Sequence, residues 1–201
     1  KGKGPFPTVI HVHGMNKNGA WEEMLMAYFL VKAGYIAVLP SQSGFGLSGG
    51  KRDFCGPKTV QGIVDCVNSL SQFDFIEHTK MGIWGISRGA TVASQVITKI
   101  PKKFKSVVLQ SGVYDMKKEY ERPDRDPGIK ENMEKETSGT DQAWKERSSI
   151  LNMDKVKCPI LILHGDQDKN VSIEQAKLLD KKLKELGKVH ETIILSGLDH
   201  Y

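Results

Sequence analysis

Ser87 lies between two glycines in the segment GIWGISRGATVASQ, which spans residues 82–95. The segment is apolar up to Ile86 and then continues with a helical pattern. The spacing Gly85-x-Ser87-x-Gly89 is typical of a nucleophile elbow, in which glycines leave room for a serine held in a strained turn between strand and helix. The alternative is a turn that only requires small residues. Because a predicted strand precedes the pattern and a predicted helix follows it, we favour Ser87 as a nucleophile.

A serine nucleophile needs a general base, and the chain has six histidines. His200 lies in SGLDHY, directly after the last predicted strand, where catalytic groups of an open parallel sheet gather. His164 ends an apolar segment and is typical of a structural residue. The sequence therefore predicts His200 as the base, and the alternative for this residue is an ordinary place in a surface loop.

An acid that could orient this base follows another apolar segment. The stretch LILHGDQDKNV, residues 161–171, carries Asp166 and Asp168 just after a predicted buried strand. Both aspartates come between the serine and the histidine in chain order, as the acid of a hydrolase triad does. The residues alone leave the choice between them open.

Acyl transfer also needs two N–H donors that hold the developing oxyanion. One is expected from the backbone of Arg88, the residue after the nucleophile. The other is expected from the backbone of Met15, because Gly14 in HVHGMNKNG lets the chain turn after the first predicted strand. The alternative for Gly14 is that it only ends this strand.

A metal site is the competing interpretation of His11 and His13, which point to one side of a strand and could be joined by Asp166 and Asp168. A metallohydrolase, however, has no need of the turn at Ser87. No further acid or histidine follows the pair at ligand spacing. We therefore predict that the protein uses no metal and no cofactor.

Alternating strand and helix patterns position these residues. Apolar and β-branched runs predict strands at 8–12, 35–39, 81–86, 106–110, 159–163 and 191–195. Helices are predicted at 21–33, 58–75, 90–100 and 172–186. Several strands are apolar throughout, as expected for a parallel sheet covered on both faces, so the fold class is α/β. Ser172 and Gln175 have the spacing of a capping box at the start of the last helix.

Residues 113–154 interrupt this alternation with a charged segment that is rich in breakers and holds no convincing strand. Such an excursion inside a compact domain is typical of a functional insertion. We therefore predict a core formed by residues 1–112 and 155–201, with a cap or lid at 113–154.

Three aromatic residues are candidates for contact with the substrate. Trp144 lies in the insertion, and the alternative for it is a place in the core of that insertion. Trp21 and Phe45 lie in predicted loops near the edge of the sheet that carries the site.

The composition bounds the remaining classes. The 201 residues carry a formal charge of +5 at pH 7, but the lysines are scattered and not interleaved with aromatics, so we predict no nucleic-acid partner. No apolar run reaches the roughly 18–20 residues that span a bilayer, so we predict no membrane association. The three cysteines exclude a complete disulfide framework and leave a bridge between Cys55 and Cys66 open.

Taken together, the segments TVIHVHG, PSQSGFGLSGG, GISRGA, CPILILHGDQDKNV and SGLDH resemble the α/β-hydrolase superfamily. The closer likeness is to its prolyl-oligopeptidase-like and dienelactone-hydrolase-like esterases. The resemblance covers most of the chain, except for the insertion. It implies an α/β-hydrolase fold with Ser87 as nucleophile, His200 as base, and Met15 and Arg88 as oxyanion donors. It also selects Asp168 over Asp166, because this family places its acid in HGxxDxxV.

The resemblance implies an esterase that acts on a small ester or a short peptide. No propeller domain of the kind that proline-specific peptidases carry lies in this chain, which favours an esterase over an oligopeptidase. A peptidase, a thioesterase and a non-catalytic binding domain on the same fold are the alternatives. The family also has strands before TVIHVHG and a helix after the catalytic histidine, so we expect flanking segments beyond this chain.

Overall fold

The computed structural model describes residues 2–200 and contains one six-stranded sheet in which all neighbouring strands are parallel. The strand order is β2-β1-β3-β4-β5-β6. The strands are β1 (Phe6–Val12), β2 (Ile36–Val38), β3 (Ile76–Ile86), β4 (Ser106–Gln110), β5 (Ile160–Gly165) and β6 (His190–Leu195). All six predicted strands are therefore present, and the parallel sheet places the carboxyl ends of β1, β3, β5 and β6 at one edge.

Helices connect these strands. They are α1 (Met24–Lys32), α2 (Pro57–Ser69), α3 (Arg88–Lys99), α4 (Met116–Glu121), α5 (Pro127–Glu136), α6 (Asp141–Arg147) and α7 (Glu174–Glu185). Short 3₁₀ turns cover Gly19–Glu23, Leu70–Gln72 and Ser149–Lys155. No helix in residues 2–200 has the length and apolar character needed to cross a membrane.

Several boundaries differ from the sequence prediction. Helix α2 ends at Ser69 rather than at residue 75, and α1 begins at Met24 rather than at residue 21, after a 3₁₀ turn. Strand β3 begins at Ile76 rather than at residue 81, because Ile76 pairs with Phe6 before a shift in register along β1. The predicted capping box is wrong: Ile173 precedes the first turn of α7, and the Gln175 side chain accepts hydrogen bonds from the N–H groups of Tyr114 and Asp115 instead. This glutamine thus ties α7 to the start of the insertion.

The core is much better covered on one face of the sheet than on the other. Strand residues such as Ile83 and Val107 are buried under α2, α3 and α7, whereas their neighbours Trp84 and Val108 on the opposite face are only half-buried. Helix α1 has no fully buried residue. Burial of apolar surface therefore stabilises the sheet mainly through the layer of α2, α3 and α7.

The segment 113–154 folds into α4, α5, α6 and a 3₁₀ turn, and no strand interrupts it. Its apolar side chains form a second hydrophobic cluster that also includes residues of the sheet-edge loops. The buried members are Phe54, Val113, Met116, Met133, Trp144 and Val171. The insertion is thus packed against the edge of the sheet that carries Ser87.

The three cysteines are free thiols, so Cys55 and Cys66 do not pair. Burial raises the pKa of the Cys55 thiol to about 11, which keeps it protonated near neutral pH.

Candidate active site

Ser87 occupies a strained turn between β3 and α3. Its φ is 53° and its ψ is −119°, a conformation that residues with a side chain rarely adopt. A Cβ on Gly85 would overlap the carbonyl oxygen of Gly89, and a Cβ on Gly89 would overlap the carbonyl oxygen of Val12. The two glycines therefore let the backbone pass close to itself and to β1, as the sequence pattern predicted.

The structure brings together the serine, the histidine and one of the two aspartates. The distance from His200 Nε2 to Ser87 Oγ is 2.8 Å, and the distance from His200 Nδ1 to Asp168 Oδ2 is also 2.8 Å. An ionised carboxylate can only accept, so Nδ1–H donates to Asp168 and Nε2 is left to accept the proton of Ser87. This is the tautomer that a general base requires.

The Asp168 carboxylate is fully buried and well supplied with donors. The N–H groups of Asn170 and Val171 donate to Oδ1 at 2.9 and 2.8 Å, and His164 Nε2 lies 3.2 Å from Oδ2. Burial alone would raise the pKa of Asp168, but the hydrogen bonds from His164, His200 and Val171 outweigh it and hold the pKa well below its usual range. Asp168 is therefore ionised wherever His200 can act as a base.

Asp166 has a different place. Its Oδ1 accepts a hydrogen bond from Gly197 N–H at 2.7 Å, so it joins the loop after β5 to the loop that carries His200. Of the two aspartates that the residues alone left open, Asp168 is the one that hydrogen-bonds to His200.

Met15 and Arg88, the two residues expected to supply the oxyanion donors, both line the cavity beside Ser87. Arg88 is the first residue of α3, and the first N–H groups of a helix have no acceptor within the helix. Gly14 lies close to the nucleophile, because a Cβ on it would be 3.6 Å from Ser87 Cβ. Both residues therefore lie beside the serine, and their role as oxyanion donors stays a prediction.

Sequence reasoning missed a pair of residues that hold the peptide between Gly14 and Met15. Gln42 N–H donates to His13 Nε2 at 3.0 Å, which leaves Nδ1–H of His13 to donate to the Gly14 carbonyl oxygen at 2.7 Å. In a trans peptide the N–H points away from the C=O, so fixing the Gly14 carbonyl also fixes the direction of the Met15 N–H. Burial lowers the pKa of His13, so this ring stays neutral. The HxH spacing gave no sign of this role.

His11 is engaged elsewhere. Its Nε2 lies 3.1 Å from Glu23 Oε2, and its ring packs edge-on against Trp84. Among residues 2–200 no group of three or more histidine, cysteine, aspartate or glutamate side chains has the geometry to hold a metal ion.

A cavity of about 650 Å³ opens at Ser87 and His200. One part of its wall comes from the loops after β1 and β2, another from α5 and the loop before it, and a third from the loop after β5. The residues that line it are Met15, Asn16, Lys17, Arg52, Phe54, Cys55, Ser87, Arg88, Thr91, Val113, Arg125, Ile129, Asn132, Glu136, Asn170, Val171 and His200. The volume is in the range of small-molecule sites.

The three aromatic residues expected to contact substrate do not line this cavity. Trp21 is 65% exposed on the 3₁₀ turn before α1. Phe45 is fully buried, with its ring packed against His13. Trp144 is buried in the insertion and stacks on Tyr120 with ring centres 4.7 Å apart, so its alternative interpretation is the correct one. Whether each side chain is buried or exposed decides its contacts, and no local sequence pattern encodes this.

The insertion directly contacts the loop that carries Asp168. Arg122 Nη2 donates to the Lys169 carbonyl oxygen at 3.0 Å, and Arg125 donates to the Asn170 carbonyl oxygen. Both arginines also lie within ion-pair distance of the buried Glu119 on α4. The segment next to Asp168 is thus fixed from the insertion side.

Comparison with known proteins places this arrangement in a family. The model of the prolyl oligopeptidase family matches residues 21–201. The uncharacterized peptidase YtmA of Bacillus subtilis (strain 168) is 30% identical over 173 residues, which cover 84% of this chain and 65% of YtmA. The chain thus spans just under two thirds of that relative.

Two solved structures show the same fold. A puromycin-hydrolyzing peptidase of Mycobacterium tuberculosis superposes with a TM-score of 0.83 at 21% identity, over 100% of this chain and 31% of that protein. An esterase of Pyrococcus furiosus superposes with a TM-score of 0.74 at 23% identity, over 96% of this chain and 74% of the esterase. These similarities confirm the predicted α/β-hydrolase fold. From the family match over residues 21–201, the chain belongs to the prolyl oligopeptidase family.

Proposed function

We propose that this chain is a serine hydrolase that cleaves carboxylic esters through an acyl-enzyme intermediate. The observation that carries the proposal is the pair of hydrogen bonds on the two nitrogens of His200, one to Ser87 and one to Asp168. A merely structural histidine has no need to join a strained serine to a buried carboxylate.

In the first half-reaction His200 Nε2 takes the proton of Ser87 while Oγ forms a bond to the carbonyl carbon. The carbonyl oxygen becomes an oxyanion, which the N–H groups of Met15 and Arg88 stabilise. His200 then gives its proton to the leaving alcohol as the carbon–oxygen bond breaks. Asp168 stabilises the intermediate imidazolium.

In the second half-reaction a water molecule takes the place of the alcohol. His200 accepts a proton from the water as its oxygen attacks the acyl carbon, and returns this proton to Ser87 Oγ when the acyl–serine bond breaks. The products are a carboxylic acid and the free serine. No group beyond those named is needed for the balance of protons.

A peptidase is the second candidate, because the family match and YtmA point to amide cleavage as well. The same steps apply, with an amine as the leaving group. A cavity of about 650 Å³ accommodates a short peptide as well as an ester.

Intact mass after treatment with a fluorophosphonate tests the proposal. We expect one adduct on the wild type, none on Ser87→Ala, and one on Ser106→Ala, which removes a serine that begins β4 at the opposite edge of the sheet. A matched ester and anilide of the same acyl group then separate esterase from peptidase. A folded wild type that takes no adduct would contradict the proposal and favour a binding domain.

A further inference from the structure

The cavity beside Ser87 has an excess of positive charge among the residues that the structure describes. Its wall includes the cationic side chains of Lys17, Arg52, Arg88 and Arg125, and one carboxylate, that of Glu136. Positive charge in a concave site raises the local concentration of anions. A neutral ester alone gives no reason for this arrangement.

Arg88 is buried in the wall and is not fully paired. Its side chain is 4% exposed, and Nε donates to Gln42 Oε1 at 3.1 Å. Nη1 lies 3.5 Å from Glu136 Oε2, which is long for a hydrogen bond, and the same oxygen already accepts from Phe54 N–H at 2.8 Å. Nη2 is buried and has no hydrogen-bond partner. A buried cationic donor without a protein partner is costly, so we expect a ligand or a water molecule to supply the missing acceptor.

Arg52 lies near the same place. Its guanidinium is 4.0 Å from the centre of the Phe45 ring, and the guanidinium of Arg88 is 5.0 Å from the centre of that ring. The Nε of Arg125, whose side chain is 5% exposed, is a second buried donor without a partner in the wall. A guanidinium group favours a planar anion that accepts two parallel hydrogen bonds, which is the geometry of a carboxylate.

We propose that Arg88, supported by Arg52, binds a free carboxylate in the acyl portion of the substrate. The preferred substrates are then monoesters or monoamides of dicarboxylic acids. We place this carboxylate in the acyl portion because Arg88 is also the residue proposed to donate its backbone N–H to the oxyanion. This inference rests on the proposed hydrolase function of Ser87.

A matched pair of substrates tests the preference. One is the 4-nitrophenyl monoester of adipic acid, and the other is the same compound with its free carboxyl group methylated. Both release 4-nitrophenol, and they differ in one charge. We expect kcat/KM for the charged ester to exceed that for the neutral one by about tenfold at low salt, and the ratio to fall in about 0.5 M NaCl. A ratio of one or less in the wild type would overturn the inference.

Variants locate the effect. Arg88→Gln should bring the ratio of kcat/KM values close to one. Arg52→Gln, at an exposed position where the fold is at little risk, should lower it in part. Lys102→Gln removes the same charge at the opposite edge of the sheet and should leave the ratio unchanged. If Arg88 only supported Gln42 and Glu136, the Arg88→Gln variant would cleave both substrates more slowly by the same factor. A ratio of kcat/KM values that stays unchanged in Arg88→Gln would exclude the carboxylate site. If that variant fails to fold, an unchanged ratio in Arg52→Gln would exclude it.

Labelling by the fluorophosphonate keeps the two proposals apart. Adipate should slow the labelling of wild-type Ser87, whereas hexane-1,6-diol, a neutral compound with the same six-carbon chain and no ester bond, should not at the same concentration. Labelling that adipate leaves unaffected would count against the carboxylate site while the hydrolase stands. An absence of any labelling would remove the hydrolase, and the substrate preference with it.

Discussion

Each oxygen of the Asp168 carboxylate has its own set of donors. Oδ1 accepts from two backbone N–H groups of its own loop, and Oδ2 faces the rings of His164 and His200. The loop therefore fixes the carboxylate through its own backbone, and the low pKa of Asp168 keeps the carboxylate charged. At the scale of single residues, the Asp168 carboxylate is therefore a fixed acceptor that aligns the imidazole of His200.

Asp168→Asn should lower kcat of the esterase reaction by roughly 10⁴-fold, because an amide cannot hold the His200 tautomer that accepts the serine proton. Asp166→Asn is the matched control and should keep kcat within about threefold, since the Asp166 carboxylate bonds to Gly197 N–H and to the Gln167 side chain rather than to His200. Kinetics with a 4-nitrophenyl ester would measure both. Comparable losses in the two variants would mean that the acid has been assigned to the wrong aspartate.

The sequence predicted which residues form the candidate triad better than it predicted the hydrogen-bond partners that surround them. Ser87, Asp168 and His200 were predicted because each follows a strand and because the family pattern orders them. The pairing of His13 with Gln42 could not be predicted, since the two are far apart in the chain and meet only at the sheet edge. For the same reason the sequence predicts Phe45 as a loop residue in contact with substrate, although its side chain is fully buried.

The turn at Ser87 forms where β3, α3 and β1 approach one another closely. Strand β3 ends against the first turn of α3, and Gly89 in that turn lies directly on the end of β1. The register of β1 with β3, in which Val12 is opposite Gly85, sets this approach. The position of the nucleophile is therefore determined by strand pairing as much as by the turn.

Gly89→Ala should destabilise the protein strongly, by more than about 3 kcal/mol, or prevent folding, because the new methyl group has no room beside the Val12 carbonyl oxygen. Gly62→Ala introduces the same methyl group within α2, where a Cβ meets nothing within 4 Å. This control should raise the free energy of unfolding by about 0.5–1 kcal/mol. Urea unfolding would compare them, and an equally stable Gly89→Ala variant would show that the elbow can relax.

Strands were predictable at this scale, and their exact starts were not. Apolar runs identified all six strands, but the charged residues between Ile76 and Met81 hid the first half of β3. The start of α7 was misplaced because Gln175, which looked like a capping residue, is used by the insertion. Long-range pairing overrode local pattern in both cases.

At the scale of the whole molecule, the described residues 2–200 cover the two faces of the sheet unequally. The layer of α2, α3 and α7 buries one face almost completely, while residues on the face of α1 keep part of their surface exposed. Adjacent residues of one strand consequently contribute differently to stability.

Val107→Ala should lower the free energy of unfolding by about 2 kcal/mol, since Val107 is 1% exposed in the main core. Val108→Ala removes the same atoms from the next position of β4, on the half-buried face, and should cost about 1 kcal/mol or less. Thermal or urea unfolding of the two variants gives the comparison. Equal losses would indicate that the face of Val108 is as well covered as the other.

The bonds from Arg122 and Arg125 to the carbonyl oxygens of Lys169 and Asn170 join the wall of the cavity to the loop of Asp168, the proposed catalytic acid. We expect a compound that holds the insertion in place to hold the Asp168 loop as well, and by thermodynamic reciprocity a loop already held should favour that compound. Exchanging the insertion for one of different shape would change the selected substrate and the rate of bond cleavage together.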